Sequence, residues 1–224
     1  MNKIIENYKL HINKEYMKSI LVGLTLLTFA LIANYYCGLY ATKIASNHVS
    51  DIILGNIPVF DVDFFFVYGA MFFWFFCIFI LFSDPKKISF TVKAVATFIV
   101  IRAIFVSLTH IAPFPSQILF AGMNRFFDLF SGTSGDLFFS GHTGLPFLFA
   151  LIFWKEKILR YIMLASSVFF GAVVLLEHLH YTIDVFAAFF ITYSIYKIAE
   201  LLFKKDREYF YSGSKQRSQN TLLN

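Results

Sequence analysis

The sequence predicts an all-α protein, a polytopic bundle of six transmembrane helices, and three observations carry the prediction. Hydrophobic residues make up 58% of the 224, with 31 phenylalanines and a mean hydropathy of +0.67, well above a soluble domain. Charges gather in short clusters separated by uncharged runs, several of them near the length of about 20 residues that crosses a hydrocarbon core of about 30 Å. Lysine and arginine, moreover, crowd every second inter-run segment and are sparse in the others.

The runs follow in order. No charge falls between Lys18 and Lys43, nor between Asp63 and Asp84, which gives the first two spans. Residues 94–124 carry Arg102 as their one charge and form the third. Residues 137–154 and 161–176 lack Asp, Glu, Lys and Arg and give the fourth and fifth. The sixth covers 185–203, broken only by Lys197 and Glu200 near its end. The first run is too long for a signal peptide and no small-residue cleavage site follows it, so it reads as a retained anchor. The organisation is a leader over 1–18, a six-span catalytic body over 19–203 and a tail over 204–224, without an internal repeat. Past Glu208 the tail loses apolar periodicity and reads as a short flexible end. Cys37 and Cys77 sit in apolar runs, which fits small core residues and neither a disulfide framework nor a metal pair.

Loop charge orients the bundle. Lys3, Lys9, Lys14 and Lys18 precede the first span; Lys86, Lys87 and Lys93 fall between the second and third. Lys155, Lys157 and Arg160 fall between the fourth and fifth, and Lys204, Lys205, Arg207, Lys215 and Arg217 follow the sixth. The opposite segments carry Lys43 and Arg125 beside Asp51, Asp61, Asp63, Asp128 and Asp136. Both termini are therefore expected in the cytoplasm. The net charge of +5 reads as topology and anionic-lipid contact, with no reason to invoke nucleic acid.

Ionisable groups at membrane depth are costly and point to function. Here they collect at the end opposite the lysine clusters: Arg102 and His110 on the third span, His142 opening the fourth, and Glu177, His178, His180 and Asp184 between the fifth and sixth. Arg102 is eight residues before His110, roughly 12 Å deeper on a helix. His180 and Asp184 are four apart and share a face if helical. A carboxylate bonded to one imidazole nitrogen fixes the tautomer and leaves the other nucleophilic. Ser140 can cap the fourth span, whose first turn offers N–H groups and a positive dipole end to an anion. Gly141 and Gly144 would keep that backbone accessible. These residues support phosphoryl chemistry in which His180, oriented by Asp184, attacks phosphorus. His142 protonates the departing oxygen and then deprotonates an incoming hydroxyl. The first turn of the fourth span and Arg102 stabilise the equatorial oxygens.

"SGDLFFSGHTG", with "EHLHYTIDVFAA" bringing in His178 some 36 residues beyond His142, resembles the sphingomyelin synthase family, a branch of the lipid phosphate phosphatase superfamily. Gly135, Asp136, Ser140, Gly141, His142, Thr143, His178, His180, Tyr181, Thr182, Asp184 and Val185 match its motifs. "IPVFD" at 57–61 and "RAIFVSLTHIAPFP" at 102–115 are similar to two further family segments. The resemblance implies six spans, catalytic residues His142, His180 and Asp184 facing the extracytoplasmic side, and no metal or other cofactor. It also implies transfer of phosphocholine or phosphoethanolamine from a glycerophospholipid donor to a ceramide-like hydroxyl acceptor. Arg102, Asp136, Ser140, Gly141, Thr143, His178 and Tyr181 are the substrate-binding candidates. Asp136 carries a family match but no role beyond orienting the loop or the acceptor.

One departure bears on the substrate. The wider superfamily has an upstream Lys/Arg motif and an arginine before the second histidine, where this chain has Val174. A phosphomonoester dianion favours several cations and a phosphodiester monoanion fewer, so one intramembrane arginine fits headgroup transfer better, unless Arg125 or Lys43 folds inward. Three rivals stay open. Water as acceptor would make the chain a lipid phosphatase. A zinc hydrolase would use His142, His178, His180 and Asp184, although histidines two apart do not face one helical site. A transporter or non-catalytic membrane protein would have the buried polar residues line a path, but the two halves lack the paired broken helices of a transporter.

Overall fold

The computed structural model describes residue 8, residues 12–117 and residues 135–221, the side chains of the last nine excepted. Seven helices and no strand occur among them. They are α1 (Lys14–Ile44), α2 (Asp63–Ser83), α3 (Lys86–Leu108), α4 (Gly141–Ile152), α5 (Lys157–Leu176), α6 (Thr182–Leu202) and α7 (Lys204–Thr221). Five of these, α1, α2, α3, α5 and α6, are long and apolar enough to cross a membrane. Arg125 and Asp128 lie outside the described residues, as does the last part of the predicted third span.

The predicted fourth span is where the count departs from six. Helix α4 has 12 residues, about 18 Å of rise, and residues 135–140 before it are not helical. Non-helical backbone at such depth survives only when protein groups satisfy it. Here Arg102 donates from Nε to the Phe139 carbonyl at 2.8 Å and from Nη2 to the Asp136 carbonyl at 3.2 Å. The Ser140 amide donates to the Asp184 carbonyl at 3.1 Å. Leu137, Phe139 and Ser140 are buried. The catalytic candidates therefore sit below the end of the bundle, at the depth of Arg102, and not on its rim.

The third span differs as well. It begins at Lys86 and stops at Leu108, just before "THIAPFP", where two prolines cannot continue a helix. Lys93, expected in a loop, is thus inside α3 and only 5% exposed. Its ammonium lies 2.7 Å from Asp206 Oδ2 and 2.6 Å from Ser19 Oγ. Asp206 belongs to α7, so the tail expected to be flexible past Glu208 is helical instead. The pairs Asp206/Phe210 and Arg207/Tyr211 are each four apart and share a face. Phe210 is buried, Tyr211 Oη donates to the Ile152 carbonyl at 3.1 Å, and Arg207 Nε donates to Glu200 at 2.9 Å. These contacts fasten α7 beneath the bundle.

Packing places the remaining helices. Helix α1 lies along α3, and α4 is enclosed by α5, α6 and α3. Gly144 permits that enclosure: a Cβ there would stand 2.8 Å from Phe98 Cζ and from Thr192 Oγ1. The accessibility expected of this glycine gives way to close helix packing. Helix α2 leans on α5 and α3 and turns Phe64, Phe72, Phe75, Phe79 and Phe82 outward, a face that water would not tolerate and lipid would.

Candidate active site

The first turn of α4 is built by Ser140. Its Oγ accepts from the Thr143 amide at 3.3 Å and from Thr143 Oγ1 at 3.2 Å, the N-cap arrangement expected of serine. Gly141 lies against the Arg102 guanidinium, which a Cβ would approach to 3.2 Å. Arg102 itself is paired: Nη1 stands 2.6 Å from Asp136 Oδ1. Next in the chain, His142 is partly exposed, and its ring is 4.4 Å from that of Phe66 and 6.5 Å from that of Phe170 by centroids.

The second histidine arrives through the connection between α5 and α6. The His178 amide donates to the Leu175 carbonyl and the Leu179 amide to that of Val174, with His178 left-handed at φ 56°. Those two bonds form a Schellman closure with histidine at the position glycine usually fills. The sharp stop delivers His180 just before α6. His180 thus precedes the helix instead of sharing its face with Asp184. Its Nδ1 lies 3.5 Å from Asp184 Oδ2, longer than a good hydrogen bond. The same Oδ2 accepts from the Tyr181 amide at 3.0 Å, so Asp184 is also the capping carboxylate of α6. Because Ser140 donates to the Asp184 carbonyl, the α4 cap and the histidine turn are one hydrogen-bonded unit.

Residues 133–201 match the family model described as PAP2 superfamily C-terminal. That match supports the PAP2, or lipid phosphate phosphatase, superfamily and its lipid phosphatase and phosphotransferase chemistry. It does not reach the sphingomyelin synthase branch. No curated protein and no solved structure matches the chain. Every site residue expected from the sequence except Arg102 falls within the matched segment.

The other expected residues take varied places. Thr143 is buried, its carbonyl accepting from Ser167 Oγ at 2.7 Å. Tyr181 is also buried, donating from Oη to the Ala112 carbonyl at 2.8 Å and accepting from the Val49 amide. His178 packs on Phe114 and shares a 2.6 Å hydrogen bond between Nδ1 and Ser116 Oγ. Burial lowers its pKa, with Asp51 opposing. Among the described residues no group of three His, Cys, Asp or Glu side chains could hold a metal ion.

Asp51 and Phe66 were not anticipated, and Glu177 was noted in the sequence without a role. Asp51 accepts from the Thr182 amide and Oγ1, each at 2.7 Å, and from the Ile53 and Leu54 amides. Burial alone would raise its pKa, but these hydrogen bonds outweigh it and hold the carboxyl below its ordinary value. The N-terminus of α6 is therefore already occupied by a carboxylate. Glu177 is fully buried, and its pKa is pushed up to about 8 by that burial and then by Asp63 and Asp61. Phe66 packs on His142. Only pairings in space reveal these roles; nothing in the local sequence around them does.

Proposed function

We propose that the chain is an integral membrane lipid phosphotransferase that moves a phosphocholine or phosphoethanolamine group from a glycerophospholipid to a ceramide-like hydroxyl. The observation that best supports this is the Ser140–Asp184 hydrogen bond, which keeps the free N–H groups of α4 beside the histidine turn. His180, with Nδ1 toward Asp184, attacks phosphorus through Nε2. The bond to the diacylglycerol oxygen breaks, and His142 gives that oxygen its proton. The acceptor hydroxyl then loses its proton to His142 while its oxygen attacks phosphorus and the phosphorus–nitrogen bond breaks. Both histidines end as they began, and no metal is required.

The α4 N-terminus and Arg102 are assigned to the equatorial oxygens, with Ser140, Gly141 and Thr143 shaping that turn and His178 and Tyr181 lining the connection. With Asp136 neutralising Arg102, the site offers little excess positive charge. That balance suits a phosphodiester monoanion better than a monoester dianion. Loop charge puts both termini in the cytoplasm and the site on the extracytoplasmic side.

Purified protein assayed with labelled phosphatidylcholine plus ceramide, and separately with phosphatidate, tests the reaction. Headgroup transfer is expected, falling at least about 10³-fold in both His142→Ala and His180→Ala. Phosphatidate hydrolysis without transfer would instead assign water as the acceptor, the second reading that the superfamily match accommodates. Turnover retained in either histidine variant would overturn the scheme.

A further inference from the structure

We infer that Phe66 is a specificity-determining residue of this site, covering His142 so that a lipid hydroxyl and not water takes the phosphoryl group. The inference rests on the assignment of His142 as the acid–base group. Phe66 is 4% exposed and packs with Val173, Val174, Leu179 and Val185. Its ring and that of His142 are tilted by 46° at 4.4 Å between centroids, and the Phe170 ring is 6.5 Å from the same imidazole. Two of the imidazole's ring neighbours are thus side chains that offer no hydrogen bond to a water molecule. A water held against these rings beside His142 would lose hydrogen-bond partners, at a cost that an acceptor carrying its own apolar chains does not meet.

The element that carries Phe66 is suited to that discrimination. Helix α2 is largely exposed along its length, and the neighbours of Phe66 in the chain, Phe64 and Phe65, are 66% and 51% exposed. Lipid therefore meets α2 within a residue of the ring that covers His142. One turn further along α2, Gly69 lies where a Cβ would come within 3.4 Å of Phe170, so α2 packs closely on α5 there. At the near end the Phe60 amide donates to the Leu176 carbonyl at 2.8 Å, which fixes where α2 begins. Chemically the two outcomes differ only in the attacking oxygen. A lipid hydroxyl gives the transferred product, water gives the free phosphorylated headgroup, and His142 takes one proton either way.

The test uses the full-length protein in lipid nanodiscs, as wild type, Phe66→Ala and Phe66→Leu. Deuterium exchange at the imidazole C2 position, read by mass spectrometry, measures solvent access to His142 without requiring activity. The alanine variant should exchange several-fold faster at His142 and unchanged at His110, which is already exposed. The leucine variant, which keeps apolar bulk, should fall between alanine and wild type. With phosphatidylcholine and ceramide present, the hydrolysed share of product should rise about tenfold in the alanine variant and little in the leucine variant. Equal exchange at His142 in wild type and alanine variant overturns the inference. So does faster exchange with an unchanged hydrolysed share. A wild type that forms neither product sinks the proposed function instead, and the exchange measurement still decides whether Phe66 shields His142.

Discussion

Arg102 and Asp136 form a buried ion pair, 2.6 Å from Nη1 to Oδ1 with 9% and 11% of the side chains exposed. The pair joins α3 to the non-helical run that precedes α4. Arg102 also donates from Nε to the Phe139 carbonyl and from Nη2 to the Asp136 carbonyl, groups that no helix satisfies. Asp136 thereby has a physical role: it is the counter-ion that lets an arginine at this depth serve as a backbone partner.

Removing one partner of such a pair strands the other charge. Asp136→Ala is expected to lower stability by about 3 kcal/mol, read as a fall in the detergent melting temperature. The Arg102→Met, Asp136→Leu double variant should cost clearly less than the sum of the two single changes. Activity then separates two roles for Arg102. Partial turnover in the double variant assigns it to holding the loop, whereas complete loss with a restored melting temperature assigns it to the phosphate.

Asp51 makes a second long-range tie, from the loop after α1 to the first turn of α6. With four hydrogen bonds to one carboxylate, Asp51→Ala should cost about 1–2 kcal/mol, and Asp51→Asn less. Its folded pKa lies below the unfolded value. Its contribution is therefore present above the ordinary carboxylate pKa and is lost as pH falls through the depressed folded one. The melting-temperature gap between wild type and Asp51→Asn should accordingly shrink on acidification, which a pH series of thermal scans would measure.

How much of this was legible in sequence depends on whether a feature is local. Runs of uncharged residues marked α1, α2, α5 and α6 closely, because lipid demands apolar residues continuously. The same rule overextended the third and fourth spans. "APFP" is apolar yet cannot remain helical, and "GDLFF" is apolar enough for lipid while its backbone is held by Arg102. Ser140 as a cap and the nearness of His180 to Asp184 were readable from spacing. The roles of Asp136, Asp51 and Phe66 were not, since each depends on a partner 34, 131 or 76 residues away.

Gly144 illustrates a steric requirement that spacing misassigned. A methyl group there would stand 2.8 Å from both Phe98 and Thr192, and α4 cannot shift without moving His142, two residues earlier. Gly144→Ala is expected to destabilise by about 1–3 kcal/mol through overpacking. It should also depress turnover more than substrate affinity, because the α4 cap is displaced relative to His180. Steady-state kinetics beside thermal scans would check this, and an unchanged kcat would show that α3 and α6 can yield instead.

Glu177 gives the clearest pH dependence. Its carboxyl is buried, its oxygens accept no good hydrogen bond from the described residues, and Asp63 and Asp61 are the charges acting on it. The folded pKa is about 8 against an ordinary carboxylate value of about 4.3. Between those values the unfolded chain releases this proton while the folded chain keeps it, so the group lowers stability progressively as pH rises from about 4 to 8 and no further above that. Glu177→Gln holds no such proton and can donate its amide to Asp63. The variant should therefore gain melting temperature over wild type across that window, with the difference levelling off above about pH 8. A difference that does not change with pH would mean that Glu177 ionises with its ordinary pKa.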